Sequence, residues 1–172
     1  MDAVSVRTIL APTDFSDGSL EAMRRAVELA EAFSAKIVFL HVMEQPAYGI
    51  ELSLAQPAAH REVGAVLAEM LREHVERVKA QGIEVEWHLE VGTPFLEIRA
   101  AAKRYRADLI VMGTHGRTGL AHAVLGSVAE RVVQHAPCPV LTVKALREPN
   151  RQVRHIPSPK TPPLGGYLFR SE

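Results

Sequence analysis

A chain of 172 residues, 47% apolar and carrying 20 basic against 20 acidic side chains, has the size and make-up of one globular domain with a substantial core. The charge balance leaves no global basic field to attract nucleic acid, and no apolar run is long enough to span a bilayer, so neither a nucleic-acid nor a membrane partner is expected. Without a basic and then apolar leader at its start, and with Cys138 as its single cysteine, the chain is expected to be cytoplasmic.

Val6 to Ala11 is an apolar run closed by Pro12 and reads as a first buried strand. A polar turn, Pro12-Thr13-Asp14-Phe15-Ser16-Asp17-Gly18, leads into a helix from about Ser19 to Ser34 with Leu20, Met23, Val27, Ala30 and Phe33 on one face. Asp14 therefore sits just past the end of the strand, where it either closes an Asx-turn or cap or hydrogen-bonds a ribose or base. Lys36 to Met43 is apolar on both faces, as in the centre of a parallel sheet. The loop from Glu44 to about Pro57 is long for such a connection. A helix over roughly Ala58 to Gln81 carries a core-facing stripe from Val63 to Val78 and stops at Gly82.

Ile83 to Val91 alternates Ile83, Val85, Trp87, Leu89 and Val91 with Glu84, Glu86, His88 and Glu90, the pattern of an edge strand with one solvated face. The Glu-His-Glu row lies on a single strand and is not read as a metal site. Thr93-Pro94 caps and opens a helix to about Arg104. Asp108 to Met112 is a fourth strand, Ser127 to His135 a fourth helix after a glycine-containing loop, and Pro139 to Val143 a fifth strand. Cys138, between two prolines at the mouth of that strand, reads as a packing residue.

Five alternations of strand and helix predict an α/β fold, a doubly wound parallel sheet with helices on both faces. Ligands of such sheets bind at the carboxyl ends of the strands, where the winding reverses. The stretch from Asp108 to Glu130 carries the plan of such a site. Gly113 and Gly116 are expected to turn with positive φ and to admit a ligand close to main-chain N–H groups. Gly126 precedes a helix whose first amides and dipole suit phosphate. Ser127 and Glu130 equally fit a capping box, which needs no ligand.

The spacing Gly113, two residues, Gly116, nine residues, Gly126-Ser127, continuing into Ala136-Pro137-Cys138-Pro139-Val140, closely resembles the nucleotide-binding signature of the universal stress protein family, in its ATP-binding branch. The similarity spans about residues 4 to 144. It implies strand order 3-2-1-4-5, a Rossmann-like sheet akin to the adenine nucleotide alpha hydrolases, and an adenine nucleotide ligand: ATP, ADP or AMP, with or without Mg²⁺. It implies that Asp14, in the Pro12-Thr13-Asp14 run, contacts the ribose and that Val42 offers backbone groups to adenine. Gly113, Gly116, Arg117, Gly119, Gly126, Ser127 and Val128 would surround the phosphates, with Met112, Thr114 and His115 beside them. The resemblance further implies a homodimer through Val140, Leu141, Thr142 and Val143 of the fifth strand.

Two functions remain open on these residues. One is a regulatory module of the stress response, whose nucleotide occupancy changes its dimer or its contacts with an unidentified protein partner. The other is a slow Mg²⁺-dependent ATPase or phosphotransfer enzyme centred on Asp14 and His115. No protein side chains with metal-ligand spacing accompany them, and the lysine that grips phosphates in P-loop enzymes is missing, which favours binding over rapid hydrolysis. His122 adds no second catalytic group. Residues 145 to 172 change character: Arg147, Arg151, Arg154, Lys160 and Arg170 face two acidic residues, and Pro149, Pro157, Pro159, Pro162 and Pro163 oppose regular structure. They read as a basic, Pro-rich, solvated tail beyond the domain of residues 1 to 144; Tyr167, Leu168 and Phe169 at its apolar end leave open docking on the domain, cover of the dimer edge or an anionic partner.

Overall fold

The computed structural model describes residues 5–44, 57–115 and 125–144. Nine elements follow in the order β1 (Thr8–Thr13), α1 (Asp17–Phe33), β2 (Lys36–Met43), α2 (Pro57–Lys79), β3 (Val85–Val91), α3 (Pro94–Arg104), β4 (Leu109–Gly113), α4 (Ser127–His135) and β5 (Val140–Val143). All five strands are parallel, in the order β3-β2-β1-β4-β5. Lys36–Met43 and Ser127–His135 have the bounds that their sequence patterns predict, whereas β1 begins and ends two residues later than expected.

The period of two along each strand divides the core into two layers. Ile9, Ala11, Ile37, Phe39 and Val111 pack against Ala22, Met23, Ala26 and Ala30 of α1 and Leu71, Val75 and Val78 of α2. Leu10, Val38, Leu40, Ile110 and Met112 face the other way, onto Ile98, Ala101 and Ala102 of α3 and Ala129 and Val132 of α4. Burial on both faces explains why the central strands are continuously apolar. Alanine dominates α1 at the contact, so this helix lies close to the sheet.

The edge strand β3 departs from its predicted alternation. Its charged face is half-covered: His88 stacks on Tyr105 with ring centroids 4.6 Å apart, and Arg104 holds Glu90 at 2.6 Å. On the same face Lys36, from the neighbouring β2, reaches Glu86 at 3.0 Å. A tyrosine and an arginine at the end of α3 thus shield a face that the local pattern assigns to water. Among the described residues, no helix is long and apolar enough to cross a membrane.

At the N-terminal end of the sheet Asp108 Oδ2 accepts the amides of Arg7 at 2.8 Å and Thr8 at 2.9 Å, tying β1 to β4. The helices return there through left-handed residues, Ser34 at φ 54° and Arg106 at φ 49°, and through Gly82 at φ 79°. Ala35 N then reaches Ala30 O and Ala107 N reaches Ala102 O, each at 2.9 Å, which satisfies the helix-end carbonyls.

Candidate functional site

The order of the strands puts the winding reversal between β1 and β4. Their ladder covers only Ile9 with Leu109 and Leu10 with Ile110. Beyond it β1 continues alongside β2 as far as Thr13 and His41, and β4 continues alongside β5 as far as Gly113 and Val143. The C-terminal halves of β1 and β4 therefore share no ladder pair, and Pro12, which has no amide hydrogen, lies in this stretch. This is the crevice at which open parallel sheets take ligands.

One wall is the turn after β1. Asp14 Oδ1 accepts the backbone amide of Ser16 at 3.1 Å and its hydroxyl at 2.6 Å, so the Asx-turn considered from sequence does form. Asp14 N donates to Ser19 Oγ at 3.3 Å, and Phe15 N to Thr13 Oγ1 at 3.0 Å. Thr13 Oγ1 and Ser19 Oγ lie 3.1 Å apart, both buried. His41 Nδ1 donates to Thr13 O at 2.7 Å. Phe15 adopts φ 61°, a conformation costly for a bulky side chain. Its ring is packed 5.0 Å from that of His41 and 6.3 Å from that of His74. The turn is thus held from several sides at once, as a strained segment must be to persist.

The opposite wall is built on β4 and α4. Gly126, and not Ser127, is the N-cap of α4, and among the described residues no side chain is seen to cap the helix. The capping box foreseen at Ser127 and Glu130 is absent because Gly126 N is held by Thr114 O at 2.8 Å, which starts the helix one residue earlier. The first intrahelical bond runs from Glu130 N to Gly126 O at 2.9 Å, so the amides of Ser127, Val128 and Ala129 precede any helical partner. With the helix dipole they form a positively polarised end.

Gly113 is required for a reason other than positive φ. It has an ordinary strand conformation, but a Cβ there would lie 2.9 Å from the carbonyl carbon of Gly18. A Cβ on Gly18 would in turn meet His115 O at 3.0 Å. These two glycines let the start of α1 press against the end of β4, and so fix the separation of the two walls. His115 Nδ1 lies 3.0 Å from Thr114 Oγ1, and Thr114 N donates to Val143 O at 2.9 Å.

The apolar floor comes from Val42, Met112, Leu125 and Val128, which belong with Phe95 to the layer beneath α3 and α4. Pro12, Thr13, Asp14, Val42, Met112, Gly113, Thr114, His115, Gly126, Ser127 and Val128 all stand at the C-terminal end of the sheet or on the adjoining start of α4. Gly116, Arg117 and Gly119, together with His122, lie outside the described residues, as does the tail. Ser16, Ser19, Gly18 and His41 were not foreseen. The Ser16-x-x-Ser19 spacing at a helix start was the available signal for the first two. Among the described residues, no group of three or more histidine, cysteine or carboxylate side chains is placed to hold a metal.

Residues 5–144 match the model of the universal stress protein family. A universal stress protein of Methanocaldococcus jannaschii is 38% identical over 142 residues, covering 80% of this chain and 82% of that protein. The chain belongs to the universal stress protein family. Among solved structures, UspA of Lactobacillus plantarum superposes with a TM-score of 0.75 at 27% identity, over 83% of this chain and 99% of that one. A universal stress protein in complex with cAMP superposes with a TM-score of 0.63 at 29% identity, over 83% and 99% of the two chains.

Proposed function

We propose that this chain binds an adenine nucleotide across the β1–β4 crevice and acts as a nucleotide-occupied regulatory module of the stress response. The observation that carries the reading is the chemical polarity of the two walls. An ionised carboxylate accepts hydrogen bonds and repels phosphate, so Asp14 suits the hydroxyls of a sugar. The uncapped amides of Ser127, Val128 and Ala129 suit the phosphates. Val42, Met112 and Val128 supply an apolar surface for a base between them. The cAMP complex of a structural relative supports the ligand class.

Hydrolysis would need a base or metal-binding carboxylate beside the terminal phosphate, and Asp14 is instead engaged with Ser16 on the sugar side. The test is to denature the purified protein, identify any released nucleotide by chromatography, refill with labelled ATP and Mg²⁺, and follow phosphate. Bound ATP that survives for hours supports the module. Steady multiple-turnover release of phosphate replaces it with the slow ATPase, and absence of any bound nucleotide overturns both.

The same reading includes a homodimer through β5. On the described residues β5 pairs with β4 alone, and Leu141 is 41% exposed on it, an apolar edge of the kind that pairs with its own copy about a two-fold axis. Leu141→Arg is expected to shift the sedimentation coefficient from that of a dimer to that of a monomer; an unchanged value removes β5 from the interface.

A further inference from the structure

The hydroxyl of Ser16 has two possible tasks, and the distances decide between them. As the N-cap of α1 it accepts a bond from Ser19 N at 3.4 Å, the long limit for such a contact. Toward Asp14 it donates at 2.6 Å, a short, charge-assisted bond of the strong kind. The Ser16 amide adds a second donor to the same oxygen, Oδ1, at 3.1 Å. The backbone of Asp14 is anchored separately, through its own amide to Ser19 Oγ, and Ser19 Oγ donates to Ser16 O at 3.0 Å. Main chain and side chain of Asp14 are therefore held by different serines, on a turn whose left-handed Phe15 is locked between two histidine rings.

We propose that Ser16 is a positioning residue for sugar recognition: its hydroxyl fixes the Asp14 carboxylate by Oδ1, and thereby aims Oδ2 at the vicinal hydroxyls of a ribose. The inference rests on the nucleotide-binding reading above and adds to it a residue that selects ribose through Asp14. Two donors on one oxygen stop the carboxylate's rotation about the last side-chain bond, so that it is already ordered when a ligand hydroxyl arrives. A ligand without sugar hydroxyls gains nothing from this arrangement.

The experiment compares dissociation constants for ATP and 2′,3′-dideoxy-ATP, by calorimetry on the full chain, in the native protein and in Ser16→Ala, Ser16→Thr and Asp14→Ala. Loss of a helix cap weakens both ligands alike, so the ratio of the two constants isolates the sugar contact from general stability. The native ratio is expected to favour ATP, and Ser16→Ala to lower that preference by about tenfold, toward the Asp14→Ala value. Ser16→Thr, which keeps the hydroxyl, is expected to restore it. A native preference that Ser16→Ala leaves intact overturns the inference and reduces Ser16 to a cap, with nucleotide binding still standing. A native protein that binds neither compound overturns the underlying reading and the inference with it.

Discussion

At the N-terminal end of the sheet, β1 and β4 are tied by the two amide bonds to Asp108, and the helices come back through left-handed turns that close their carbonyls. At the C-terminal end the same two strands have no ladder pair, α4 starts at Gly126, which has no side chain to cap it, and Phe15 is held at φ 61°. One end satisfies its polar groups internally, whereas at the other the amides of Ser127, Val128 and Ala129 have no partner within the helix. The difference teaches that conformational strain has a separate meaning at each end: at Arg106 it serves a helix stop, and at Phe15 it holds a carboxylate in place.

The largest effect is expected from removing the clearance between the walls. Gly113→Val puts branched carbon against the Gly18 backbone and is expected to cost about 3 kcal/mol of stability, read as a lower urea midpoint. Nucleotide binding would fall with it, so the variant tests the fold more than the ligand. Asp14→Ala should separate the two. Nucleotide affinity is expected to fall by about 2 kcal/mol, the worth of a hydrogen bond to a charged group, and the unfolding midpoint by the equivalent of about 1 kcal/mol, because the two bonds from Ser16 are lost as well. A midpoint that drops as far as the affinity would make Asp14 structural.

Asp108→Ala is the mirror experiment. It is expected to lower stability by about 1 kcal/mol through two unpaired, partly hydrated amides, while affinity stays within error. Smallest is Arg106→Gly, which relieves a left-handed residue but adds freedom to the unfolded chain, for a net gain of about 0.5 kcal/mol in chemical denaturation. If Arg106→Gly weakened nucleotide binding instead, the two ends would not be independent.

What the sequence shows well is what depends on near neighbours. Ile37 to Leu40 are apolar on both faces because both faces are covered, and that reads directly as a central parallel strand. A turn before α1 is legible from Asp14 to Gly18, but Pro12 misplaces its start, because β1 continues beside β2 as far as Thr13. The positive φ expected at Gly113 is absent, and the contact that excludes a Cβ there, Gly18, lies far away in the chain. Ser127 and Glu130 fit a capping box as well as a phosphate site because nothing local shows that Thr114 O takes the amide of Gly126. The shield that Tyr105 and Arg104 give to β3 is likewise invisible until α3 is docked.

Cys138 bears out its reading as a packing residue. Burial first, and then the nearby negative charge of Asp108, push its thiol above the ordinary range, so little thiolate is present at neutral pH.

The tie between β1 and β4 joins Asp108 to amides 101 and 100 positions earlier in the chain. Contacts of such separation are entropically late in folding. During synthesis β1, α1 and β2 emerge with neighbours to pair with, but the crevice has only one wall until β4 has left the ribosome and inserted beside β1. Under the proposed nucleotide reading, a nascent chain halted before β4 and α4 have emerged has no complete pocket, so occupancy would report that this part of the sheet has assembled as well as the level of the nucleotide.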